Sequence, residues 1–156
     1  MTSPALSSLS TTFPPSYQKQ EQKGFDLYSM TIEPSVVALS RYVNGLQDRI
    51  KAFANLGENW NGYDVAAPNP AAIAKANQWI ERFVRDHNIC LEPMVSPDEN
   101  GDIVFEWQRG KRWLCVTVSA NAVTTLCEGN LAPGESEEGQ ADTPQQREAL
   151  WTWLMS

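Results

Sequence analysis

Asp98 and Glu106 carry the residue types of a metal-dependent nuclease site of the PD…ExK kind, in which two carboxylates share a divalent cation and a lysine assists the attacking water. Pro97 precedes the first, but Gln108 stands where the lysine belongs. On a hairpin turning at Glu99 to Gly101, Glu106 also falls four residues beyond Asp102, roughly 13 Å away at the rise of a strand. Glu58 and Asp64 form a second pair, flanking Trp60 and Tyr63, and carboxylates beside aromatic rings suit sugar or acid/base chemistry. Asn59, Asn61 and Gly62 between them give a plainer account, a tight turn whose Trp60 and Tyr63 plug one edge of the core. Asp98, Asn100 and Asp102 alternate as in the first half of a calcium loop. Ile103, however, occupies the position reserved for glycine, and Arg109 that of the bidentate glutamate, so the run reads as a polar hairpin tip.

His87, the single histidine, lies on an apolar stripe near a predicted helix end, where an imidazole satisfies terminal carbonyls. Arg109, Lys111 and Arg112 form a small basic cluster beside Trp113 that reads as a solvated turn rather than a phosphate site. No catalytic residue, cofactor or metal ligand is expected from these patterns.

The elements that must position these residues follow from periodicity. Val36, Leu39, Val43, Leu46, Ile50 and Phe53 recur at spacings of three and four, predicting an amphipathic helix from Glu33 to about Leu56. Asn69 and Pro70 are a cap and a first-turn proline, opening a second helix that ends near Asn88. From Leu91 the period changes to two, predicting strands near Glu92–Ser96, Asp102–Gln108, Arg112–Ser119 and Ala122–Cys127 in consecutive hairpins. Thr143, Pro144 and Gln146 form a capping box for a last, apolar helix. The expected fold class is therefore α+β, with two or three helices packed on a four-stranded antiparallel β-meander.

The domain reading is a disordered tail over 1–24, an α+β domain over 25–127, an acidic linker over 128–142 and a C-terminal helix over 143–156. The tail is rich in Ser, Thr, Pro and Gln and lacks periodicity. The tether would let the helix move between docked and partner-bound positions, so deleting 143–156 is expected to leave a folded core. Trp151 and Trp153, two apart on a helix, cannot face the same core, and one of them should be exposed.

At 42% hydrophobic residues the chain can bury a core of ordinary size. No run approaches the roughly 18 apolar residues of a membrane span, and no secretory signal is visible, so a soluble, cytoplasmic protein is expected. The net charge of −7 is concentrated, since Glu128, Glu135, Glu137, Glu138 and Asp142 have no basic residue among them. The rest of the chain is nearly neutral, with neither the basic face that nucleic acid requires nor the dense acidic face of its mimic. Cys90, Cys115 and Cys127 have no metal or redox spacing and read as free thiols, although Cys115 and Cys127 could face each other on neighbouring strands.

The run LGENWNGYDVAAPNPAAIAKA followed by PMVSPDENGDIVFEWQRGKRWLCVTV resembles a widespread, largely uncharacterised family of small bacterial proteins. The likeness lies in an NW(D/N)xYG-type turn, a proline-led helix and a P-x-V-x-P hairpin ending in EW. It covers Leu56 to Val118, and Asp64 stands where the family often has glycine. The resemblance implies an accessory protein of mobile elements or toxin-linked loci, and no activity.

Together these features lead to a non-catalytic protein-binding module, accessory, antitoxin-like or inhibitor-like, of bacterial or phage type. Trp60, Tyr63, Trp151 and Trp153 are its candidate partner interface, because tryptophan and tyrosine dominate protein interfaces. A metal-dependent nuclease and a structural homodimer are the alternatives.

Overall fold

The computed structural model describes residues 32–88, 91–129 and 136–156, and the tail expected over 1–24 and Cys90 lie outside them. The chain divides into two compact units, Met1–Ala38 and Leu39–Ser156. Of the first, the described residues 32–38 are helical.

In the larger unit, helix α1 (Ile32–Ala52, entering the unit at Leu39) gives way to a short 3-10 turn over Phe53–Asn55. Val43, Leu46 and Ile50 are its buried stripe. Helix α2 (Pro70–His87) starts where the Asn69 side chain accepts the Ala71 N–H at 2.8 Å and ends at Asn88, which adopts the left-handed conformation at φ 52°. Seven of its residues, Ala72, Ile73, Ala76, Trp79, Ile80, Phe83 and Val84, are buried.

The sheet is a five-stranded antiparallel meander in the order β1 (Met94–Pro97), β2 (Ile103–Arg109), β3 (Arg112–Val118), β4 (Val123–Glu128) and β5 (Ser136–Gln140). Alternation sends Ile103, Phe105 and Trp107, then Leu114, Val116 and Val118, then Val123 and Cys127 into one core with the helices. Trp79, Phe83, Phe105 and Trp107 stack and tilt on one another at its centre, with ring centroids 4.8 to 6.3 Å apart. Helix α3 (Pro144–Met155) closes the fold, its capping box formed as the sequence predicts.

The α+β class holds, with two corrections. The sheet has five strands rather than four, because part of the expected linker is strand β5, paired with β4 from Thr124↔Gln140 to Glu128↔Ser136. Every β5 residue is exposed, so backbone hydrogen bonds hold the strand in place and no apolar alternation betrays it. Helix α3 is not an appendage. Leu150 and Leu154 are buried in the common core, Trp79 Nε1 donates to Ala141 O at 2.8 Å, and the buried Arg147 donates to Asp142 O at 3.0 Å and lies 3.7 Å from Asp86 on α2.

Candidate functional site

Where α3 runs beside β4 and β5 it leaves a groove of about 310 Å³ along the edge of the sheet. Thr125, Cys127, Glu137 and Gly139 form the floor, from the core-facing positions of the two strands. Ala149, Leu150 and Trp153, one stripe of α3, form the wall. Among the described residues no lysine or arginine lines it, while Glu137 and Glu138 do.

The two C-terminal tryptophans diverge, as their spacing requires. Trp151 turns toward α2, edge-on to Phe83 at 6.1 Å and tilted against His87. Trp153 turns toward the groove and lies under the Arg112 guanidinium, 5.6 Å from the ring centroid. Both are half-buried, so neither is the exposed residue expected from the sequence.

Two members of the basic cluster, on an exposed turn, reach the end of α3. Arg109 donates to the carbonyls of Leu154 (3.2 Å) and Met155, and Arg112 to the Trp153 carbonyl (2.6 Å) and Ser156 Oγ (2.7 Å). These guanidiniums supply donors and positive charge to the end of α3, where orphaned carbonyls gather, and so fix the Trp153 ring. His87 lies against the last turn of α2, its Nδ1 3.0 Å from Phe83 O.

Trp60 and Tyr63 do not join this groove. Their turn is organised by Asn59, whose N–H donates to Val65 O at 2.8 Å and whose side chain accepts the Asp64 N–H at 2.7 Å. Asp64 sits at φ 57°, a conformation glycine would adopt freely and aspartate tolerates. The segment is tied to the β1–β2 turn by Ala66 N–H to Glu99 O (3.2 Å) and Asn69 N–H to Gly101 O (2.8 Å). That turn lies at the opposite end of β2 from the Arg109–Arg112 clasp, about 20 Å along the strand. Tyr63 is 84% exposed rather than plugged into the core, whereas Trp60 buries its Nε1 without an acceptor among the described residues.

The carboxylates keep to structural places. Asp98 caps the β1–β2 turn, accepting the N–H groups of Asn100 and Asp102 at 2.9 Å each. Glu106 pairs in register with Met94 and Cys115, farther along the sheet. Burial, and then the Asp98 charge, raise the Asp102 carboxyl above its ordinary value. Glu58 and Asp64 lie exposed on their turn, and no cluster of three or more potential metal ligands occurs among the described residues.

Cys115 and Cys127 sit on opposite faces, since Leu114 pairs with Cys127 and Cys115 with Leu126, and both are free thiols. Burial and then the Glu137 carboxylate push the Cys127 thiol from its ordinary 9 up to about 11. A raised thiol keeps its proton in the fold. Its contribution to stability is therefore complete below pH 9 and is lost as pH rises through 11. At pH 8 Cys127 should resist alkylation in the folded protein and react at the ordinary rate in denaturant. Glu137→Gln should shift the midpoint of its rate–pH profile downward, and an unmoved midpoint would contradict this origin.

A scan against protein-family models, a search of curated proteins and a search of solved structures all find no match to this chain. Sequence reasoning reached Trp153 but missed Cys127, Glu137 and Gly139 as its neighbours, because their strand was read as a tether. The one available signal was the capping box at Thr143, which fixes α3 close behind any strand ending at Gln140.

Proposed function

We propose that the chain is a non-catalytic protein-binding module whose partner occupies the groove between α3 and β5. The observation that carries this reading is Trp153, a half-buried aromatic held by Arg112 at the wall of an open groove that no described lysine or arginine lines. A large ring already fixed in place loses little freedom on binding, which is the property of an interface anchor. Tyr63 offers a separate exposed aromatic on its turn. An accessory or antitoxin-like role in a bacterial cytoplasm accords with free Cys115 and Cys127 and with the absence, among the described residues, of a helix long and apolar enough to cross a membrane.

The structural homodimer is less favoured at this edge, because two β5 strands side by side would oppose Glu137 and Glu138 with their own copies. Affinity capture from a bacterial host with the full chain, run in parallel with Trp153→Ala and Tyr63→Ala, tests the proposal. A specific partner retained by Tyr63→Ala and lost, by at least tenfold, with a folded Trp153→Ala is the expected result. The reverse dependence would move the interface to the Asn59 turn.

A further inference from the structure

The two edges of the sheet are protected differently. Strand β1 is four residues long, ends on Pro97 and follows Pro93, and prolines withhold the donors an added strand would need. Strand β5 has no proline and carries the charges of Glu137 and Glu138. The direction of its hydrogen bonds follows from the ladder. Ala141 N–H donates to Val123 O at 3.0 Å, making these two a hydrogen-bonded pair. Antiparallel alternation then turns Gly139 and Glu137 toward β4 and points the backbone groups of Gln140, Glu138 and Ser136 outward, along the edge that no other described strand pairs with.

We propose, on the footing of the binding reading above, that the partner enters as an extended segment that adds to β5 as a sixth strand, with a basic–basic–apolar triplet opposite Glu137, Glu138 and Gly139. Main-chain bonds to Glu138 and Gln140 provide the attachment, and alternate side chains provide specificity, which is how strand addition beside a helix selects its ligand. The residue opposite Gly139 faces the groove and packs on Leu150 and Trp153. Gly139 contributes no side chain there, and a Cβ on it would stand 3.0 Å from Thr125 Oγ1. The residue opposite Glu137 also faces the groove, where no cation among the described lining residues neutralises that carboxylate. The middle residue faces the outer side of the sheet. Its row runs Glu138, Leu126, Cys115, Glu106 and Met94, again without a cation. Charge thus selects a basic segment and disfavours a second copy of β5.

The probe is a blocked nine-residue peptide with a central leucine–lysine–arginine flanked by threonines, the order that an antiparallel sixth strand sets opposite Gly139, Glu138 and Glu137, titrated into the full chain. The control carries glutamates for the two basic residues. Saturable binding that perturbs tryptophan fluorescence is expected for the basic peptide and not for the control. Affinity should fall at least tenfold in Glu138→Pro, which removes an outward donor while leaving the β4 pairing intact. Glu137→Lys with Glu138→Lys, both on exposed positions, should invert the preference toward the acidic peptide. Equal binding of both peptides, or undiminished binding to a folded Glu138→Pro, would overturn strand addition. So would self-association of the chain that Glu138→Pro abolishes, which would assign the edge to a second copy. If the peptide fails while a captured partner still depends on Trp153, the strand-addition inference falls and the binding-module reading stands.

Discussion

Leu154→Ala should lower the stability of the body by about 3 kcal/mol, the usual cost of emptying a leucine site in a closed core. Deleting residues 144–156 should leave a chain that does not fold. The side chain of Leu154 is fully buried, and Leu150 one turn before it is nearly so. The same helix covers Phe83 with Trp151, holds Arg147 against α2, and receives Arg109 and Arg112 from the β2–β3 hairpin. Removing it would expose the end of the aromatic core and strand two guanidiniums without their carbonyl acceptors. The expectation that the core stays folded without this helix is reversed on these grounds. Chemical denaturation followed by circular dichroism checks both outcomes, and a truncated chain with a cooperative transition would contradict the account.

Gly101→Ala should cost about 3 kcal/mol, the upper end of the strain a side chain suffers in left-handed backbone. Gly101 sits at φ 82° in the β1–β2 turn, and a Cβ there would stand 2.4 Å from Ala67 O. Neither backbone can yield easily, since Gly101 O accepts the Asn69 N–H at 2.8 Å and Asn69 is the residue that caps α2. Gly110→Ala is the control, at φ 60° but with no neighbour within 4 Å of the added carbon, and should cost only about 1 kcal/mol. Equal losses at the two positions would mean that the Ala66–Asn69 segment is not fastened to the sheet.

Much of this fold could be read from residue spacing, and the failures share one cause. Helices α1 and α2 and strands β2 to β4 announce themselves because their buried faces repeat at 3.6 or 2 residues, as Ile73, Ala76, Ile80 and Phe83 do on α2. Strand β5 has no buried residue, so SEEGQ has the composition of a linker although all five of its residues pair in register with β4. That one omission turned the acidic stretch into a tether, cut α3 loose and hid the groove. The destination of Arg109 and Arg112 was equally illegible, because a helix terminus acts through backbone carbonyls that no residue pattern reports. The turn at Asn59 was read correctly as a turn. Its Tyr63 was placed inside, for want of any local signal separating a plugging ring from an exposed one.

The central claim, a partner bound at the groove beside Trp153, is tested most directly by the indole N–H resonances of the full chain labelled with nitrogen-15 and titrated with the captured partner. Trp79 and Trp107 serve as internal references, their Nε1 atoms held by Ala141 O at 2.8 Å and Leu91 O at 3.0 Å inside the core. The Trp153 resonance, assigned by its loss in Trp153→Phe, should move progressively to saturation while those two and Trp60 stay in place. Saturation with Trp153 unmoved and Trp60 shifted would contradict the account and put the interface on the turn at the other end of the sheet.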